Sequence, residues 1–301
     1  MLPNFIILGA QKAGTTSLYQ YLKQHPEIYM SPVKEPKFFN EDFEDGNRGE
    51  SNSGSLRGVS SVEEYQALFD GVTDEKAVGE ASPSYLYLPE APARIQRYVP
   101  EAKLIAILRD PAERAYSSYL HQVRAGREPL DFLGAIRDEE RRVREGWHYR
   151  YHYRGRSLYH DQLTRYEAVF GPDRLRIHLY EDLREDPVSV SQSIFRFLGV
   201  DDSFAPDTSL RHNVSGMPKS RALLTLLGKP NPLKTALRPF VPERLRERIF
   251  VNLKTRNLSE APPMPEEARV ELTEAYREDV LKLQDLIGRD LSGWLDGKAK
   301  P

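Results

Sequence analysis

The stretch Phe5-Ile6-Ile7-Leu8-Gly9-Ala10-Gln11-Lys12-Ala13-Gly14-Thr15-Thr16-Ser17 decides how this chain is read. Four consecutive apolar residues, two of them β-branched, read as a buried strand. A loop with two glycines follows, and Thr16 to about Gln24 then reads as a helix. A strand–loop–helix passage of this kind attracts anions. Its glycines let backbone N–H groups approach closely, the helix N-terminus adds partial positive charge, and Thr15, Thr16 and Ser17 add hydroxyl donors. A Walker loop would read G-x-x-x-x-G-K-[ST]. Here the outer glycines fit, but Thr15 stands in the lysine's place and Lys12 lies inside the loop. The spacing predicts a phosphate cradle of another type.

Outward from this loop, short β-rich runs alternate with helical periods. Ala77–Glu80, Lys103–Leu108 and Arg174–Tyr180 read as strands, and helices are predicted near 62–70, 89–98, 111–125, 130–145 and 157–170. Tyr159, Leu163, Tyr166 and Phe170 recur at the period of one helix face, as do Tyr276, Val280, Leu283 and Ile287 near the C-terminus. This alternation predicts an α/β, P-loop-like three-layer fold, with a central parallel sheet flanked by helices. Residues 1–301 read as one domain with two irregular stretches. One is a flexible loop at 42–61, rich in Gly, Ser, Asn and charge. The other is an arm at 229–265 whose seven prolines leave room for one basic helix near 243–250.

The 43 basic residues nearly cancel the 45 acidic ones, leaving −2, which excludes a globally basic nucleic-acid binder but not a local anion pocket. Without cysteine there is no disulfide framework, thiolate metal site or cysteine nucleophile. No apolar run approaches the roughly 18 residues of a membrane span. Phe5–Leu8 is too short for a secretory leader, so the expected location is the cytoplasm.

A second motif, Leu104-Ile105-Ala106-Ile107-Leu108-Arg109-Asp110-Pro111-Ala112-Glu113-Arg114-Ala115-Tyr116-Ser117, starts as a strand and ends as a helix. Asp110 suits an N-cap, Pro111 the first helical position, and Glu113 completes a capping-box pattern. Arg109 is thereby placed at the carboxyl end of a central strand, where open α/β sheets bind ligands, and its guanidinium can pair bidentately with phosphate. The rival reading, a Walker B strand with Asp110 on a metal, competes with the role of Asp110 as a cap.

Lys12-Ala13-Gly14-Thr15-Thr16-Ser17 after a first strand, with Arg109-Asp110-Pro111 and Ser117 after a later one, resembles the sulfotransferases that use 3′-phosphoadenosine 5′-phosphosulfate (PAPS), in their heparan-sulfate-type and bacterial branch. The resemblance implies that Lys12 contacts the transferring sulfuryl group. Ala13, Gly14, Thr15, Thr16 and Ser17 would hold the 5′-phosphate, and Arg109 and Ser117 the 3′-phosphate. Lys34-Glu35-Pro36-Lys37-Phe38-Phe39 is similar to the family's E-x-x-F-F segment, which implies Glu35 as general base. Pro36 biases Glu35 away from helix, and Lys34 and Lys37 favour its ionised form. Asn213–Arg221 resembles the late basic loop over the 3′-phosphate, with Lys219, Ser220 and Arg221 as contacts. Gly79–Tyr85 resembles the strand and turn on the acceptor side. Many heparan-sulfate enzymes carry lysine after that glutamate, where this chain has Ala81.

His148, His152 and His160 lack an H-E-x-x-H pattern, so no metal ligands are assigned. Arg137–Arg156 holds seven arginines against four acids, and reads mainly as paired helix surface. The expected activity is transfer of the sulfuryl group of PAPS, without a metal, to an acceptor hydroxyl on a carbohydrate, a lipid or polyketide chain, or a small alcohol. A P-loop kinase or NTPase and a non-catalytic nucleotide-binding module remain the alternatives.

Overall fold

The computed structural model describes residues 1–40, 59–209, 217–218, 258–259 and 261–297. Residues 42–58 of the expected loop, most of the 229–265 arm with its basic helix, and Lys219, Ser220 and Arg221 lie outside the described residues.

Five strands form one parallel sheet: β1 (Phe5–Gly9), β2 (Ile28–Met30), β3 (Ala77–Ala81), β4 (Lys103–Leu108) and β5 (Leu175–Leu179), in the order β2-β3-β1-β4-β5. β1 and β3 are buried along their whole length, β1 as its uninterrupted apolar run requires of a sheet covered on both faces, and β3 with Glu80 buried in it. Gly79 in β3 is a close-approach glycine, because a Cβ there would lie 2.2 Å from the Phe5 ring of β1. Three-residue β2 is the strand that periodicity did not predict. It is too short to alternate visibly, and only its pairing with β3 makes it a strand.

The strand order dictates the layers. After β1, helix α1 (Thr15–Leu22) carries the chain past β3 to the far edge. After β3, helix α3 (Ala91–Tyr98) carries it the other way, across β1 to β4. Right-handed crossovers in opposite directions put α1 and α3 on opposite faces. Helices α4 (Pro111–Arg124) and α7 (Tyr159–Phe170), between β4 and β5, join α3. Helices α8 (Tyr180–Glu185) and α9 (Pro187–Leu198) return to the α1 face. The long helix near the C-terminus, α10 (Glu266–Ile287), packs on α4 and α7, with Trp294 beyond it packed on Tyr159.

Two predicted boundaries move. The 130–145 helix is two short helices, α5 (Phe132–Arg137) and α6 (Glu139–Arg144), meeting at Asp138, which both ends the first and begins the second. Its side chain also binds Arg141 and Arg142, so the polar cluster at the break is satisfied. Before β3, a short α2 (Val62–Ala67) is capped by Ser61 accepting from the Glu64 N–H. The small antiparallel pair β6 (Met217–Pro218) and β7 (Leu258–Ser259) lies against α4 through β6.

Candidate active site

Because the strands are parallel, all five carboxyl ends open on one edge of the sheet, and the connections diverge beside β1. The residues singled out in the sequence follow those ends: Lys12 after β1, Glu35 after β2 and Arg109 after β4.

At the β1 end, Gly14 caps α1 with φ of 92°, a left-handed conformation that glycine adopts freely. Having no side chain, it offers no capping oxygen to the first turn of α1. Thr15 is buried, and Thr16 and Ser17 are half-buried on the first turn. Ala13 is fully buried and spends its N–H on the Ala10 carbonyl at 3.1 Å, so it shapes the loop rather than offering a donor. Lys12 forms no ion pair among the described residues. Burial, and then the charges of Arg124, Arg109, Arg114 and Lys34, push its pKa down to about 8. A lysine destabilised in this way is relieved by an anionic ligand.

At the β4 end, Asp110 accepts from the N–H groups of Ala112 at 3.0 Å and Glu113 at 3.1 Å, fixing the entry into α4. Arg109 stacks over the Tyr180 ring, 4.9 Å from its centroid, and donates to the Lys12 carbonyl at 3.4 Å. Its other arm meets Glu113 at 3.3 Å, but Glu113 is shared with buried Arg269, so two guanidinium groups divide one carboxylate. Ser117 lies one turn beyond Glu113 on the same stripe of α4 and is half-buried.

At the β2 end, burial alone would raise the pKa of Glu35. Lys34 at 3.1 Å and Lys37 at 3.6 Å outweigh it and hold the carboxyl below the usual carboxylate value. Phe38 and Phe39 anchor this segment in the core, where Phe38 stacks on Tyr65 with ring centroids 4.4 Å apart. Glu35 itself donates its N–H to the Ala81 carbonyl, which ties the segment to the end of β3. Pro36 keeps Glu35 out of the right-handed helix, as expected, but by a left-handed φ of 62°. Among the described residues, Lys12, Glu35 and Lys37 are the non-glycine residues with positive φ. Such backbone costs about 1–3 kcal/mol per residue and persists where packing over-determines it, often at functional sites.

Sequence reasoning missed several neighbours. His121 on α4 is affected by the charges of both Lys12 and Glu35. Burial first, and then Lys12, Arg124 and Arg127, push the His121 pKa down to about 4. The signal was present as a four-residue stripe, Glu113, Ser117 and His121, running from Arg109 along α4. Arg156 is buried without a carboxylate partner among the described residues. It donates to Gln11 Oε1 at 2.6 Å and lies over the rings of Tyr149 and Tyr87. Two of the histidines singled out in the sequence have structural partners: His148 Nδ1 accepts the Arg150 N–H, and the ring of His152 bonds Tyr87 and the Trp147 carbonyl. Most of the basic stretch pairs as helix surface, with Arg137 on Glu267 and Glu271 and Arg141 on Asp138 and Glu145.

A family model described as the sulfotransferase domain matches residues 2–217, which include every one of these site elements. The chain belongs to the sulfotransferase family. Among solved structures, a sulfotransferase from Alicyclobacillus acidocaldarius is 34% identical, with a TM-score of 0.73 over 98% of this chain and 99% of that one. The sulfotransferase domain from the curacin biosynthetic pathway shares the fold, with a TM-score of 0.53 at 15% identity. The bifunctional heparan sulfate N-deacetylase/N-sulfotransferase 4 of Mus musculus is 29% identical over 98% of this chain and 31% of its own length. The human N-deacetylase/N-sulfotransferase 3 aligns over the same shares at 29% identity. This sulfotransferase therefore spans about a third of the length of those curated relatives. No helix among its described residues is long and apolar enough to cross a membrane.

Proposed function

We propose that this sulfotransferase moves the sulfuryl group of PAPS to an acceptor hydroxyl, with Glu35 as general base and Lys12 on the leaving side. The observation that carries the reading is that a half-buried lysine with no ion pair among the described residues and an ionised carboxylate both follow strand ends on the edge where the sheet's connections diverge. The residues present fit the donor. The uncapped first turn of α1, with Thr15, Thr16 and Ser17, suits the 5′-phosphate. Arg109, planted by the Asp110 cap, and Ser117 suit the 3′-phosphate, and Lys219, Ser220 and Arg221 belong to the same proposal. In the transfer the acceptor oxygen bonds to sulfur while the bond from sulfur to the bridging phosphate oxygen breaks. The hydroxyl proton goes to Glu35, and the Lys12 ammonium faces the charge that grows on the leaving oxygen. None of these roles calls for a metal.

The 301 residues are read as one domain, since α10 near the chain's end packs on α4 and α7. A reducing compartment such as the cytoplasm suits a chain with no cysteine to pair. The relatives named for N-sulfation favour a second acceptor class, the amine of an amino sugar, which the same base would serve.

Calorimetric titration with PAP, the desulfated product, tests donor binding, and no heat at millimolar ligand refutes it. An NTPase would instead bind Mg-ATP at least as tightly as PAP. PAP release from PAPS across hydroxyl and amine acceptors then separates an enzyme from a binding module. In that assay Glu35→Gln is expected to lose about a hundredfold or more in turnover, and wild-type turnover in the variant removes Glu35 from the base role.

A further inference from the structure

Glu80, at the end of β3, is fully buried and forms no ion pair among the described residues. Instead it is ringed by hydroxyls. Ser82 Oγ donates to Oε2 at 2.8 Å and Tyr65 Oη on α2 donates to Oε1 at 3.2 Å, and the nearby Tyr85 hydroxyl helps to hold the pKa of the same carboxylate down. Two of these hydroxyls face the segment that carries Glu35. Ser82 Oγ accepts the Lys37 N–H at 3.1 Å, and Tyr85 Oη accepts the Phe39 N–H at 3.3 Å.

A hydroxyl has one proton to give. When a carboxylate, which can only accept, takes that proton, the hydroxyl's lone pairs are left for an N–H on its other side. An ionised Glu80 thus dictates which way the Ser82 hydroxyl points. The backbone that Ser82 and Tyr85 hold is strained, with positive φ at both Glu35 and Lys37, and such backbone survives only where its surroundings fix it.

We propose that Glu80 is a positioning residue: in its ionised form it accepts the Ser82 hydroxyl and so turns that oxygen's lone pairs toward the Lys37 N–H, which, with Tyr85 Oη on the Phe39 N–H, holds Glu35 in its left-handed turn between Lys34 and Lys37. This rests on the reading of Glu35 as base and adds a device that keeps it in place. A protonated Glu80 has a proton of its own to donate; given to Ser82 Oγ, it takes one of that oxygen's two lone pairs and frees the hydroxyl proton to turn elsewhere, which loosens the hold on the Lys37 N–H. The groups facing Glu80 are Ser82 and Tyr85 beyond β3, Tyr65 of α2, Tyr166 of α7, and Glu35, whose charge opposes ionisation of Glu80.

Amide NMR of the full chain tests this without an acceptor. The Lys37 amide signal is expected to shift with pH at the midpoint of Glu80 and to lose this titration in Glu80→Gln. Hydrogen exchange at Lys37 should accelerate about tenfold in Glu80→Gln, the scale of one lost hydrogen bond. Ser82→Ala, which leaves the carboxylate in place, should release Lys37 alone and carries the test if Glu80→Gln does not fold. Affinity for PAP should stay within about twofold in both, since the phosphate loop is built on another strand. Unchanged exchange at Lys37 in a folded variant overturns the proposal, as does acceleration spread evenly over the core amides. Failure of the base reading shows separately, as full turnover by Glu35→Gln with the amide relay intact.

Discussion

At the scale of single residues, the site is a problem of charge held where charge is costly. Lys12 is half-buried among other cations; burial first, and then those charges, push its pKa down to about 8, so the unliganded protein loses this charge as pH rises through that value. Affinity for PAP should therefore fall on the alkaline side, by up to about tenfold per pH unit. Lys12→Arg, which stays charged, should flatten the fall, and calorimetry across pH 8 measures it; a flat wild-type profile would remove Lys12 from the anion site. Glu80 carries the opposite consequence. Burial raises its pKa to about 7 from 4.5, against the pull of Ser82, Tyr85 and Tyr65. Between those two values the unfolded chain gives up the proton while the folded one keeps it, so folded stability declines as pH rises from about 4.5 to about 7. Glu80→Gln should lack that decline, and thermal midpoints measured across the interval show whether it does. Neither effect was legible from composition: a net charge of −2 says nothing of which cations are buried together.

At the scale of elements, the α1 turn and the α4 cap act as paired supports. Local chemistry was enough to read both, because a glycine cap and an Asp-Pro start depend on residues within one turn of each other. The structure adds their mutual contact. A Cβ on Gly14 would lie 3.0 Å from the side chains of both Tyr180 and Leu183, and Tyr180 is the ring that supports Arg109. Gly14→Ala combines that crowding with a disfavoured φ of 92°. It should destabilise the protein by about 1–3 kcal/mol and weaken PAP binding at least tenfold, since it disturbs the first turn of α1 and Arg109 together. Thermal denaturation and calorimetry with PAP check the two halves, and wild-type affinity would show that the α1 turn is not the phosphate seat. The three residues of β2 and the break at Asp138 were not legible, because neither leaves a periodic trace; one is set by pairing with β3, the other by side-chain bonds to Arg141 and Arg142.

At the scale of the whole molecule, the α4 side of the sheet is held by groups remote from the chemistry. Arg142 and Glu128 form a bidentate pair with side chains 1% and 0% exposed, and Tyr153 donates to the same carboxylate at 2.7 Å. Removing one partner leaves a buried, uncompensated charge, so Glu128→Ala should cost about 3–5 kcal/mol of stability. Affinity for PAP should persist wherever the variant is folded, and chemical denaturation alongside calorimetry separates the two effects. The α/β class, the parallel strands beside Lys12 and Arg109, and the sulfotransferase resemblance were all present in the sequence by itself, because strand burial, helix capping and loop glycines are decided by neighbours in the chain. Only the tertiary structure decided what surrounds them. A parallel sheet brings its carboxyl ends to one edge whatever their separation in sequence, and this set Lys12, Glu35 and Arg109 along one rim, with Glu80 behind the segment that carries Glu35.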